Sequence, residues 1–509
     1  MRAARSLALA AAGACVLAAC TGGGAAVSTG GGDRDDDGNV LVAAVSAQPD
    51  QFDPHRTSAY PSFQVLENVY DTLVVPSAED LTMEPSLAAS WETSADGLTW
   101  RFTLRDDVTF HDGSTFDSAD VVYSYRRIVD EDLANASRFA TVASVEADGP
   151  QTVVLRLTRP TPNLLALLGA FKGMAIVAEG DGENLDLTTE ANGTGPFELA
   201  AFDPSSTRLT AFDDYWGGEP EIDGVEFRYL TDPAAALAAL EDGAVDWTDN
   251  LPPRELEALA GDDDVELARR PSVDYWYLAM NHARPPFDDV RVRRAVATGV
   301  DRAAVTDAAR PGAARPNQTA IPEGSFFHSG YAPFSSDPDA ARQQLDEAGV
   351  DDPLTMGLMV TDEFPESVEA ARAVADQLAP VGITVQVEVL DFASWLRRQA
   401  DGDFDALMLT WLGNLDPADF YEQAHLTGGS SNYQGYSNPE VDRLLTEAAT
   451  EVDRSARKAL YDRAAALIVD DVSYLYLYNP DVVQAWTPGL TGYRIRADRA
   501  INFEDVELP

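Results

Sequence analysis

The chain is predicted to be an α/β protein of more than one domain, and three observations carry that prediction. At 509 residues it exceeds the length at which a single hydrophobic core stops growing. Strands marked by two-residue alternation stand between helices with legible start and stop signals, and no short repeat points to a solenoid. A hydrophobic content of 45% with eight tryptophans lies in the globular range, so disorder is confined to one short segment.

In chain order, the first element is a leader. Arg2 and Arg5 precede an apolar run from Ser6 to Ala19, too short to span a bilayer comfortably. Leu17-Ala18-Ala19-Cys20 then resembles a bacterial lipobox, which implies cleavage after residue 19 and a lipid on the Cys20 sulfur; Cys15, preceded by Ala12-Gly13-Ala14, fits less well. Residues 20–39 are glycine-rich and lack apolar periodicity, so they read as a flexible tether reaching about 20 to 25 Å. Asp33, Asp35, Asp37 and Gly38 mimic the start of a calcium loop, but Ala44 stands where its bidentate acid is required.

Beyond the tether, Asp96-Gly97 is a turn leading into a strand in which Trp100, Phe102 and Leu104 alternate with polar residues. Asp112-Gly113 is another turn, and Asp117 or Ser118 caps a helix beginning near Ala119. Asp232-Pro233 opens a helix that Gly243 stops, Asp337-Pro338 opens one that Gly349 stops, and Asn438-Pro439 opens a third. Ile383, Val385, Val387 and Val389 alternate as a strand, and Phe404 to Leu409 form another, followed by a turn into a helix.

Charge and chemistry narrow the function. The formal net charge is -49, and Lys172 and Lys458 are the only lysines. No basic stripe exists to release counterions from a phosphate backbone, so no nucleic-acid partner is expected. Both cysteines fall in the first twenty residues, leaving the body without disulfide or thiol chemistry. His55, His111, His282, His328 and His425 are scattered, with no pair at zinc-helix spacing, and neither a G-x-S-x-G elbow nor a phosphate loop occurs. No catalytic residues, metal or cofactor are assigned.

Residues 85–129, PSLAASWETSADGLTWRFTLRDDVTFHDGSTFDSADVVYSYRRIV, resemble the family 5 extracellular solute-binding proteins, the dipeptide, oligopeptide and nickel receptors of ABC importers. GTGPFEL at 193–199, FDDYWGGEPEIDGVEF at 212–227, MNHARPPFDDVRVRRAVATGVDR at 280–302 and YSNPEVDRLLTEA at 436–448 resemble further landmarks in the same order. The resemblance implies a large periplasmic-binding-protein fold of class II, with two lobes joined by crossing strands and a ligand cleft between them. Lobe I is expected at 40–275 with 483–509 returning to it and a subdomain at about 85–190, and lobe II at 276–482. Tyr275 to Leu278 and Tyr474 to Tyr478 are β-prone, aromatic candidates for the crossing segments, a character that core strands share.

By that resemblance the protein captures a peptide or similar small polar solute by lobe closure and delivers it to an ABC permease. A receptor for an oligosaccharide, opine or metal chelate is the alternative within the class, and a surface hydrolase or a sensor lipoprotein are alternatives outside it. In peptide receptors of the family the turn after the strand ending near Leu409 carries an aspartate for the ligand's ammonium group, and Asn414 matches that position here. An amide lacks the countercharge, which leaves Asp416, two residues on, as the substitute. Trp411 is either a stacking platform or a core residue. Tyr60, Asp249, Asn250, Asn432, Tyr433 and Tyr436 complete the candidate ligand residues, all in polar or aromatic loops. A monomer is expected, anchored outside the cell membrane.

Overall fold

The computed structural model describes residues 39–170, 174–350, 353–412 and 415–509. Cys20 and the leader lie outside the described residues, as do Asn414 and all of the tether but Asn39.

The first lobe begins with β1 (Val40–Val45), buried along almost its whole length. A short hairpin, β2 (Val74–Pro76) and β3 (Met83–Pro85), precedes a separate antiparallel sheet of β4 (Ala88–Thr93), β5 (Thr99–Leu104), β6 (Val142–Ala147) and β7 (Thr152–Leu157), ordered β4-β5-β7-β6. The helix Ser118–Asp130 covers this sheet: Val121, Tyr125 and Ile128 share a core with Phe102, Leu104 and Leu155. Its start is fixed by a reciprocal cap. The Asp117 carboxylate accepts from Ala119 N, and Asp120 accepts from Asp117 N at 2.8 Å.

The chain then returns with β8 (Phe197–Phe202), β9 (Ser206–Ala211), β10 (Gly224–Tyr229), β11 (Trp247–Thr248) and β12 (Glu266–Pro271), and β8-β9-β10-β1-β11 pair in that order. The second lobe supplies β13 (Tyr275–Met280), β14 (Ala314–Pro316), β15 (Leu354–Thr361), β16 (Ile383–Leu390) and β17 (Ala406–Trp411), with β16-β15-β17-β13 adjacent. One strand, β18 (Leu475–Trp486), belongs to both. Its twelve residues reach about 40 Å, and it pairs with β13 and β14 through Leu475 to Pro480, then with β12 and β11 through Asp481 to Trp486. Pro271 and Pro480, which have no N–H to give a ladder, fall where the pairing changes hands.

The predicted helices start and stop where their caps place them: Pro233–Glu241 behind Asp232, Pro338–Ala348 between Asp337 and a left-handed Gly349, and Pro439–Ala448 behind Asn438. Two details differ from the sequence expectations, and a third strand is found where expected but at an edge. The aromatic runs at 275–278 and 475–478 pair with each other inside the second lobe, and the crossing lies just outside them, at 271–274 and 479–481. Burial on both faces explains their character: Trp276 and Leu278 join one core, Tyr275 and Tyr277 the opposite one. The strand expected from Phe404 begins at Ala406 and runs to Trp411. The alternating strand at 383–390 sits at a sheet edge, so only Ile383 is fully enclosed and Val389 is exposed.

After β18 the chain goes back to the first lobe, where Leu490, Ile501, Phe503 and Val506 pack with Leu41, Ala43 and Trp247.

Candidate functional site

Two cavities lie between the lobes, on either side of the turn that follows β17. The first, of about 470 Å³, is walled on the first-lobe side by Arg138, Thr141 and Arg159 and on the second-lobe side by Trp411, Asp419 and Glu422. The second, of about 480 Å³, has the 79–82 hairpin tip on one side, Ser272 and Val273 at its base, and Phe326, Phe420 and Arg454 opposite. Charge is arranged across the first cavity. Arg138 and Asp419 attract each other, as do Arg159 and Glu422, with one partner of each pair on each lobe. Arg138 donates through Nε to Asn135 Oδ1 at 3.1 Å, while its enclosed Nη1 has no hydrogen-bond partner. Burial lowers the Arg138 pKa despite the attraction of Asp419. Burial also pushes the Glu422 carboxyl up to about 7, against Arg159 and Arg457 and with help from Asp416 and Asp419. In the second cavity the Arg454 guanidinium stands 4.0 Å over the ring of Phe326.

The expected ligand residues fall in three places. Trp411 ends β17 paired with Tyr275, packs partly on the second-lobe core and also lines the first cavity. Asp416 borders the second cavity but is held by a buried two-point pair with Arg457, Oδ2 to Nη1 at 2.7 Å and Oδ1 to Nη2 at 2.6 Å. That pair occupies both of its oxygens, and Oδ1 also caps Ala418 N.

Tyr60 and Asp249 come together, lining neither cavity: the Tyr60 hydroxyl is 3.3 Å from Asp249 Oδ2, which also accepts from Gln64 Nε2 at 2.8 Å. Arg499 closes this group, 5.2 Å over the Tyr60 ring and 3.5 Å from Asp274 Oδ2. Asn250 ties the end of β11 to Leu230 O at 2.7 Å. Asn432 holds its own loop, donating to Leu426 O and Tyr436 O and accepting from Tyr436 N. Tyr436 donates to Asp471 Oδ2 at 2.8 Å, and Gln434 O accepts from His282 N beyond the outer end of β13. This loop, with the half-exposed Tyr433, is therefore on the side of the second lobe away from the crossing.

The profile of the bacterial extracellular solute-binding proteins, family 5 Middle, matches residues 82–433, more than half of the chain. The chain belongs to this family. Relatives of this solute-binding protein include the glutathione-binding protein GsiB of Salmonella paratyphi A, 27% identical over 484 residues and covering 92% of this chain and 94% of the relative. Di/tripeptide-binding protein 2 of Pseudomonas aeruginosa is 28% identical over 508 residues, with the same coverage of each. Among solved structures, HbpA2 from Haemophilus parasuis superposes with a TM-score of 0.84 at 23% identity, covering 92% of this chain and 100% of that one, which shows the fold. AgaA of A. tumefacien R10, solved with agropinic acid, gives 0.78 at 25% identity, with 92% and 99% covered.

Four charged residues that line the first cavity were not singled out in the sequence: Arg138, Arg159, Asp419 and Glu422. A signal for one was present. Arg159 stands in Thr-Arg-Pro-Thr-Pro-Asn, a strand-to-helix turn directly after β7, and such turns commonly face a cleft. Arg138 sits in a one-turn 3-10 helix, 136–139, that carries no equivalent mark.

Proposed function

We propose that this solute-binding protein takes up a small charged solute, of peptide size or less, in the first interlobe cavity and hands it to an ABC importer. The observation that carries the reading is Arg138, whose enclosed Nη1 has no hydrogen-bond partner among the described residues and which lines, with acids of the opposite lobe, a cavity of about 470 Å³. A carboxylate on the solute satisfies Arg138 and Arg159, and an ammonium group meets Asp419 and Glu422, so the bound solute touches both lobes and favours their closed arrangement. A peptide meets this description, and so does an opine; charged walls on both sides disfavour a neutral oligosaccharide. The relatives that bind glutathione and di- or tripeptides agree with a peptide-sized cargo.

In this reading lobe I comprises 40–271 with 481–509 and lobe II comprises 275–478, a few residues from the bounds expected from the sequence, and Cys20 carries the lipid that holds the tether to the outer face of the membrane. The protein works as a monomer and performs no chemistry on its cargo. Asn414 leaves the ammonium to Asp419 and Glu422, because Asp416 is committed to Arg457.

The test is to identify co-purified cargo by mass spectrometry after denaturation, then to refold the stripped protein and screen peptides, opines and oligosaccharides by thermal shift. A carboxylate-bearing ligand recovered intact and raising the melting temperature supports the reading. A response to neutral sugars alone, or cargo recovered as a cleaved product, contradicts it. Deleting the protein removes uptake of that ligand; retained uptake with a lost transcriptional response contradicts the importer role.

A further inference from the structure

The hinge holds another polar cavity, which adjoins the second cavity of the cleft and shares Pro271, Pro322 and Glu323 with it. It has a volume of about 340 Å³ and is bounded by Pro271, Arg302, Arg315, His328, Asn479 and Asp481. Its wall is richer in positive charge than the chain as a whole. Acids outnumber bases by 85 to 36 overall, whereas here Arg302 and Arg315 line the cavity beside Asp481 and Glu323, and Arg269 and Arg310 nearby add to the attraction that Arg315 exerts on the Asp481 carboxylate.

The polar groups here are incompletely matched. Arg302 is 7% exposed, and donates through Nε to Tyr476 O at 2.8 Å and through Nη1 to Ala297 O at 3.4 Å. Burial pulls its pKa down to about 10, and among the described residues no acidic side chain offsets the desolvation. Asp481 Oδ1 is enclosed without a hydrogen-bond partner. A buried guanidinium lacking an acid and a buried oxygen lacking a donor are each costly when left as they are. One ligand answers both if it brings an anionic oxygen and a hydrogen-bond donor.

We infer that the hinge cavity binds a small oxyanion that also bears a hydrogen-bond donor, the anionic oxygens meeting Arg302 and Arg315 and the donor meeting Asp481. Monohydrogen phosphate and a free α-amino acid share this chemistry; sulfate has the oxygens without the donor. The position gives such a ligand an effect on closure. Pro271 and Asp481 belong to the part of the sheet paired in the first lobe, Arg302 and Arg315 to the second lobe, and Asn479 to the crossing strand itself, so the occupant contacts both sides of the pivot. Its affinity then differs between open and closed arrangements, and it is coupled to the cleft.

The experiment is isothermal titration of the stripped chain with inorganic phosphate, glycine and sulfate at constant ionic strength. Saturable binding of phosphate or of glycine is expected, with sulfate about tenfold weaker or more, the loss of one charge-assisted hydrogen bond. Whichever of the two binds identifies the source of the oxyanion. Arg315→Ala, at an exposed position that tolerates truncation, reduces the affinity about tenfold. Asp481→Asn erases the preference over sulfate, because the donor requirement goes with the carboxylate. No saturable heat with either probe overturns the proposal, as does binding that survives Arg315→Ala. Glycine binding lost in Arg138→Ala and kept in Arg315→Ala places the amino acid in the cleft instead.

Discussion

Asp416 and Arg138 are both charged and both beside the interlobe space, yet their surroundings give them opposite parts. Asp416 is matched at both oxygens by Arg457, so Asp416→Ala strands a buried guanidinium and is expected to cost about 3 to 5 kcal/mol of stability in urea denaturation. A near-wild-type unfolding midpoint with lost binding would instead make Asp416 a ligand residue. Arg138 has no such partner, and Arg138→Ala is expected to leave the melting temperature of the empty protein unchanged or raised while weakening ligand binding tenfold or more. A lowered melting temperature with intact affinity would make it structural. Neither part was legible in the sequence: an aspartate before a proline reads the same whether an arginine forty-one residues later meets it or a ligand does. Asn414 was singled out by its place in a motif, and its role rests on that resemblance alone.

Glu67 shows how burial couples stability to pH at a single residue. Desolvation raises its carboxyl from 4.5 to about 8, with Asp498 adding to the effect and the hydrogen bond from Ile501 N opposing it. Between those two values the folded chain keeps a proton that the unfolded chain has released, so stability falls as pH rises through that window and the fall is complete above about pH 8. Glu67→Gln is neutral throughout and lacks the fall. Its melting temperature is expected to match the wild type near pH 4 and to exceed it at pH 9; a constant difference at both pH values contradicts this assignment.

At the scale of elements, local signals carried most of the reading. Helix starts were legible because Asp232, Asp337 and Asn438 each accept backbone N–H groups beside a proline already shaped for the first turn. The crossing lies a few residues outside the candidate runs because strands of aromatic residues and leucine report burial on both faces, the core-strand character already noted for them, and not passage between lobes. What marks the crossing is Asn479, whose amide donates to Asp274 O at 2.7 Å and Ala320 O at 3.0 Å and whose oxygen accepts from Asn317. Asn479→Ala leaves those carbonyls buried without donors and is expected to lower stability by about 1 to 3 kcal/mol, read from the denaturant midpoint. An unchanged midpoint would show that the crossing strands are fixed by β18 pairing alone. Trp411, at the end of β17, is expected to lose both packing and affinity on truncation to alanine, and a loss of only one would assign it to the core or to the ligand.

For the whole molecule, the family was legible because its landmarks are long and ordered along the chain, and the matched profile from 82 to 433 covers the stretch that contains most of them. The charged lining of the first cavity was not, because it is gathered from sites far apart in sequence: Arg138 and Arg159 on one lobe, Asp419 and Glu422 on the other. Only the folded sheet, spliced by β18, brings them together. The anchor belongs to the same scale, and Cys20→Ser is expected to move the protein from the membrane to the soluble fraction or medium; unchanged retention contradicts lipidation. The measurement that bears most directly on solute capture between the lobes is small-angle scattering of the stripped protein titrated with its recovered cargo, wild type beside Arg138→Ala. A radius of gyration that falls with saturation in the wild type, and only at about tenfold or higher ligand concentration in the variant, is the expected result. Saturable binding with no compaction, or the same compaction curve in both proteins, would contradict it.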